Sequence, residues 1–253
     1  MREALVLIGH GSRLARANEE LREIAAMVRD SGAYDDVRPA YLGNEQPDIP
    51  GALTECAAAG AERIIAMPYF LFEAGHVKED IPEAIALWAR GHGTTQVRIV
   101  PPLGTDDRLI RCVLDRADAA VASSPKMKRL RRRHLILVAR GSSDPALESG
   151  LAQAAMRAGV MGAFPRVSYA FTDTCSPTYE DEARRVIEED GAKAVVLQPF
   201  ALFSGEPSRA LRALAPKLQK ETGVPVASGE AIGADPRMVA LVIERSRAGP
   251  AGA

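Results

Sequence analysis

Leu5-Val6-Leu7-Ile8-Gly9-His10-Gly11-Ser12-Arg13 returns 130 positions later as Leu135-Ile136-Leu137-Val138-Ala139-Arg140-Gly141-Ser142-Ser143. A continuous apolar run, a glycine turn and a serine survive in both copies, whereas His10 has become Arg140. The offset holds from Val37–Tyr41 to Val167–Phe171 and from Pro47 to Pro177, and shifts by one between Gly60–Phe72 and Gly191–Phe203. Gly104-Thr105-Asp106-Asp107-Arg108 answers Gly233-Ala234-Asp235-Pro236-Arg237 near the two ends. Matched blocks in one order mean two homologous domains, each of an ordinary domain size. Residues 1–123 form the first, a basic linker covers 124–133, and 134–253 form a second, degenerate copy. The linker's six cations read as a solvated connection.

Within each copy, apolar runs alternate with amphipathic stretches. Residues 4–8 have the uninterrupted apolar character of a parallel strand buried on both faces. Leu21, Ile24, Ala25 and Val28 then trace the stripe of an amphipathic helix over 17–29. Further strands are expected near 37–41, 63–68 and 96–100, and helices near 49–59, 81–90 and 106–121. The fold class is therefore α/β: two tandem domains, each a parallel sheet with helices on both faces, with an active-site cleft expected between them. Sheets of this kind bind ligands at the carboxyl ends of their strands.

Composition excludes several partners. The formal net charge of −1 gives no overall attraction to nucleic acid or to an anionic membrane. No apolar run approaches the ~20 residues that span a bilayer. The chain enters its first strand without a signal-peptide pattern, and Cys56, Cys112 and Cys175 form no Cys-x-x-Cys pair. A cytoplasmic, thiol-reducing compartment is expected.

His10 follows the first strand between two glycines, so a sharp turn leaves its imidazole at the carboxyl edge of the sheet. A lone histidine there reads better as a residue that merely caps the turn. His76 follows the third strand in the same way, which brings two of the four histidines to one edge. Imidazole is the commonest ligand for divalent transition metals, and two ligands leave coordination positions open. His92 and His134 are assigned structural roles. Asp80-Ile81-Pro82-Glu83 has the form of a capping box, a reading that stands level with a functional role for Asp80 just beyond His76 and is compatible with it. Ser12 reads as a helix cap or a turn-stabilising residue. Glu45 is an acidic candidate in the loop after the second strand, while Arg13 and Arg140 supply positive charge at strand ends.

Gly9-His10-Gly11-Ser12-Arg13, followed by Pro68-Tyr69-Phe70-Leu71-Phe72, Gly75-His76 and Asp80-Ile81-Pro82, resembles the sirohydrochlorin chelatases of the CbiX and SirB type. The resemblance spans the chain, because Arg140-Gly141-Ser142-Ser143-Asp144-Pro145 resembles their degenerate second copy. It implies ATP-independent insertion of Co2+ or Fe2+, with Ni2+ also admitted, into sirohydrochlorin on the route to cobalamin or sirohaem. It also implies His10 and His76 as metal-binding and catalytic residues. Glu45 is carried as a third catalytic candidate, and Ser12, Arg13 and Arg140 as substrate-binding ones. Members commonly carry a glutamate in the loop after the second strand, where counting back from Pro47 finds Gly43. Pro207 stands opposite His76, so the second copy is expected to bind no metal and to wall the substrate site. No organic cofactor is implied, and a monomer is preferred over a homodimer. The alternatives are a metal or tetrapyrrole carrier and a regulatory partner on the same fold. A histidine phosphatase fits less well, because Gly9 stands where its arginine belongs.

Overall fold

The computed structural model describes residues 2–73, 75–93 and 95–249. The chain runs β1 (Glu3–Gly9), α1 (Ala15–Asp30), β2 (Asp36–Tyr41), α2 (Ile49–Ala58), β3 (Arg63–Pro68), a π-helical turn (His76–Asp80), α3 (Ile81–Ala89) and β4 (Gln96–Ile99). It continues through α4 (Asp107–Ala122), α5 (Pro125–Lys128), β5 (Arg133–Ala139), α6 (Pro145–Met161), β6 (Arg166–Phe171), α7 (Tyr179–Glu188), β7 (Ala194–Pro199), α8 (Glu206–Thr222), β8 (Val226–Ser228) and α9 (Arg237–Arg247). The strands form two four-stranded sheets, ordered β2-β1-β3-β4 and β6-β5-β7-β8, with every pairing parallel. Boundaries expected from periodicity fall within two residues of these elements.

The chain divides into two compact units, residues 1–104 with 234–253 and residues 105–233. These units are not the sequence repeats. The last helix of each repeat belongs to the other repeat's sheet: α4 packs on α6, β7 and β8, and α9 packs on α1 and β3. Periodicity makes each helix amphipathic, but it does not name the sheet that receives the apolar stripe.

In the first unit, β1 is central and almost wholly inaccessible. Ala4, Val6 and Ile8 meet Ile49, Leu53 and Cys56 of α2, and Ile81, Ile85 and Trp88 of α3. The Trp88 Nε1–H donates to Thr54 Oγ1 at 2.9 Å, which ties α3 to α2 without orphaning the buried indole. Burial also pushes the Cys56 thiol up to about 12. Helix α9 is fastened by Tyr34 Oη and Ser246 Oγ, 2.5 Å apart, and by Arg98, which donates to the Ser246 carbonyl at 2.8 Å.

The second unit repeats the plan around Ile136, Val138, Val195 and Leu197. The expected linker is more than a solvated connection. Ser124 caps α5, whose Met127 is 1% exposed and so anchors the basic segment. Among the described residues no helix is long and apolar enough to cross a membrane.

Candidate metal site

The site is built by two loops that leave adjacent strands. β1 and β3 pair from Glu3↔Arg63 to Ile8↔Pro68, so the segments after them start side by side. After β1 the backbone turns at Gly11, with φ +80°. A Cβ there would lie 1.7 Å from the Gly43 carbonyl oxygen, so glycine is required for both dihedral and space. The Gly43 N–H donates to the His10 carbonyl at 3.2 Å, stitching the β2 loop to the turn.

Asn18, which is 4% exposed, locks this turn from α1. Its Oδ1 accepts from the Ser12 N–H at 2.9 Å, and its Nδ2 donates to the Ser12 carbonyl at 2.8 Å and to Glu45 Oε2 at 2.8 Å. Ser12 Oγ accepts from the Leu14 N–H at 3.1 Å, so it supports the turn, while Leu14 occupies the cap position of α1. Sequence reasoning missed Asn18, which carried no signal beyond a polar residue on a helix.

The two imidazoles meet. His10 and His76 have ring centroids 4.9 Å apart and planes at 78°. His10 Nδ1 lies 3.0 Å from the Gly11 carbonyl oxygen. A carbonyl only accepts, so Nδ1 carries the proton and Nε2 keeps its lone pair. His76 Nδ1 lies 2.5 Å from Asp80 Oδ2, which selects the same tautomer. Neither Nε2 has a hydrogen-bond partner among the described residues. Both rings line a cavity of about 400 Å³, together with Gly43, Asp48, Pro50 and Asp80.

The capping box expected at Asp80 does not form. Asp80 has φ −67° and ψ −42°, inside a continuous helical path from the π turn into α3, and its side chain makes no cap hydrogen bond. A helical residue cannot adopt the extended backbone an N-cap needs. The i, i+4 spacing instead sets its carboxylate beside His76. Asp48, not singled out in the sequence, caps α2 by accepting from the Gly51 N–H at 2.8 Å and brings a second carboxylate to the cavity.

Glu45 is not brought to the histidine pair. Its carboxylate faces α1, where Asn18 donates at 2.8 Å and Arg22 sits 3.1 Å away. The Gln46 N–H, then Arg22 and Asn18, hold it below the usual carboxylate range. Two residues nearer β2, Gly43 does line the cavity, and a Cβ built on it meets nothing within 4 Å. Arg13 is exposed and lies outside the cavity lining. Arg140, at the same turn of the second unit, lies 3.6 Å from Asp173.

The other histidines hold structure. His92 stacks on Trp88 at 4.2 Å with its Nδ1 3.0 Å from the Trp88 carbonyl oxygen. His134 is 3% exposed, with Nε2 3.0 Å from Ser168 Oγ. It lines a smaller cavity of about 250 Å³ with Arg132, Arg133, Arg166 and Asp190. That cavity lies at the amino ends of β5 and β6, opposite the edge where parallel sheets bind ligands. Among the described residues no three His, Cys, Asp or Glu side chains are grouped to hold a metal, and the His10–His76 pair is a candidate for two ligands.

The CbiX family model matches residues 4–120 and again 134–248. The chain belongs to the CbiX family. The sirohydrochlorin ferrochelatase of Bacillus subtilis (strain 168) is 28% identical to this CbiX chain over 209 residues, covering 81% of this chain and 76% of that protein. The sirohydrochlorin cobaltochelatase of Methanococcus maripaludis is 33% identical over 141 residues, which is 46% of this chain and 98% of that shorter protein. Among solved structures, SirB from Bacillus subtilis with Fe3+ aligns at a TM-score of 0.80 and 25% identity, covering 98% of this chain and 95% of that one. The cobalt complex of SirB from Bacillus subtilis subspecies spizizenii aligns at 0.74 and 26% identity, covering 98% and 94%. A two-repeat CbiX architecture thus accounts for both sheets.

Proposed function

We propose that this CbiX protein is a sirohydrochlorin metal chelatase, a lyase that inserts Fe2+ or Co2+ into the tetrapyrrole, and that His10 and His76 hold the incoming metal. The relatives are named for this reaction with iron and with cobalt, and two of the aligned structures are described with those metals. The observation that carries the residue assignment is the paired tautomer: both Nδ1 protons are committed to oxygen acceptors, which leaves two Nε2 lone pairs in one cavity. Two neutral nitrogen donors bind a divalent ion without saturating it. The remaining coordination positions accept the macrocycle nitrogens, so the ion passes from imidazole to pyrrole by ligand exchange.

Insertion releases two pyrrolic protons. One Asp48 oxygen is used to cap α2, while Oδ2, which has no partner among the described residues, accepts one of these protons and the other passes to water. Ser12 acts through the turn that presents His10, and Glu45 through the Asn18 clamp on that turn. Arg13 and Arg140 supply guanidinium groups for the substrate's carboxylates. The reading takes residues 1–123 and 134–253 as the units of duplication, with a cytoplasmic monomer that needs no organic cofactor and also accepts Ni2+.

The test is Co2+ insertion into sirohydrochlorin, followed by its absorbance change. His10→Ala and His76→Ala are each expected to lower kcat/KM by roughly 100-fold or more, about 2.7 kcal/mol of transition-state stabilisation. Wild-type rates in both variants would remove the residue assignment. Stoichiometric metal or tetrapyrrole binding without turnover by the wild type would point to a carrier.

A further inference from the structure

The two imidazoles are held by chemically different acceptors. His10 gives its Nδ1 proton to a neutral backbone carbonyl, whereas His76 gives its own to a carboxylate. We propose that Asp80 is a positioning residue that fixes the orientation and tautomer of His76, and thereby makes His76 the stronger metal donor of the pair. The inference rests on the chelatase reading of the same cavity and adds a role to a residue outside the metal-holding pair.

Three observations support it. First, Asp80 lacks the local duty its sequence suggests, since its side chain makes no cap hydrogen bond to α3. Second, the π-helical turn His76–Asp80 places both residues on one face of the helix where it borders the cavity. Such turns are uncommon and recur at functional sites. Third, Asp80 Oδ2 lies within hydrogen-bond reach of His76 Nδ1, and Nδ1 is the nitrogen that must be protonated if Nε2 is to bind a metal. A carboxylate behind a ligating imidazole orients the ring and raises its basicity, and removal of such a partner costs 10- to 100-fold in metal affinity. The carbonyl behind His10 orients that ring without contributing a full negative charge.

The test uses the full chain and Co2+ alone, without tetrapyrrole, and reads the dissociation constant and the visible d–d spectrum. Asp80→Ala is expected to weaken Co2+ binding by about 10- to 100-fold and to shift the spectrum. Asp80→Asn keeps an acceptor oxygen without the charge, so it should recover part of the affinity. Glu79→Ala, on the neighbouring exposed residue, should leave both readouts unchanged. Thermal melts separate a folding defect from a binding defect, and the Asn variant decides the case if the Ala variant is unstable. Wild-type affinity and spectrum in Asp80→Ala, with the wild type still inserting metal, would overturn this inference and leave the chelatase reading standing. A wild-type protein that neither takes up Co2+ nor inserts it would overturn both.

Discussion

The turn after β1 and the turn after β5 share a close glycine approach to a backbone carbonyl and a serine that braces the turn, and differ in the other side chains that act on it. Gly11 abuts the Gly43 carbonyl, and Gly141 abuts that of Asp173, where added Cβ atoms would lie 1.7 and 1.8 Å from the oxygens. Around this shared geometry the contents have been exchanged. His10 is answered by Arg140 and Gly43 by Asp173, so the second turn holds an Arg–Asp pair where the first holds an imidazole, bonded to the Gly11 carbonyl, beside an open position. Asn18 and Glu45, which clamp the first turn, correspond to Glu148 and Cys175, and Cys175 Sγ instead donates to the Ser142 carbonyl at 3.1 Å. In the second turn a guanidinium sits beside the carboxylate, supplying as a side chain the positive charge that a metal would bring. The repeated turns keep the close glycine approach, and the histidine pair belongs to the first of them.

The largest expected effect breaks the scaffold itself. Gly11→Ala meets both a left-handed dihedral, φ +80°, and the Gly43 carbonyl, whereas Gly141→Ala meets the backbone of Asp173 and Cys175 without a left-handed dihedral. Dihedral strain alone costs on the order of 1–3 kcal/mol. Gly11→Ala should therefore lose more stability in urea unfolding, and should also lose Co2+ uptake. Gly141→Ala should lose less stability and retain uptake. Equal losses in the two variants would show that the turns are not distinguished by conformation.

A smaller effect comes from giving the first turn the carboxylate that the second still carries. Gly43 lines the cavity, and a Cβ on it meets open space, so Gly43→Glu adds a third ligand, an oxygen beside the two imidazole nitrogens. Co2+ affinity, measured by titration, should rise by roughly tenfold, or about 1.4 kcal/mol. An unchanged affinity would mean that the side chain does not reach the imidazoles, as already holds for Glu45 on its α1-facing course.

Much of this was legible in the residues. Leu5–Ile8 read as a buried parallel strand, which β1 is, and the substitution of Arg140 for His10 marked His10 as a candidate distinct from the turn that carries it. The convergence of His10 and His76 followed from strand ends on one sheet edge, and the β1–β3 pairing makes those strands neighbours. Other features were hidden for physical reasons. Asp80 with Glu83 spells both a capping box and a helical i, i+4 partner for His76, and only the backbone at Asp80 chooses between them. Glu45 and Gly43 are two residues apart in one irregular loop, where spacing does not determine which side chain turns inward. The membership of α4 and α9 depends on how the chain crosses after Gly104 and Gly233, and an amphipathic stripe carries no record of that.

The smallest expected effect tests whether the second unit's own histidine is structural. His134 opens β5, whereas His10 follows β1, so the two lie at opposite strand ends. Burial is the largest influence on His134 and holds its pKa below the ordinary value of 6.5, against opposing attraction from Glu182 and Asp190 and alongside repulsion from Arg185 and Arg166. The folded state thus binds the proton less readily than the unfolded chain. The stability this gives is complete above the unfolded pKa and is lost as pH falls through 6.5 towards the folded value. Urea midpoints should fall between pH 7 and pH 5, and His134→Gln, which keeps a polar group near Ser168, should flatten that fall while leaving Co2+ uptake intact. A variant that keeps the full slope would assign the acid sensitivity to other groups. One that loses Co2+ uptake would tie the amino-terminal edge of the second sheet to the metal site.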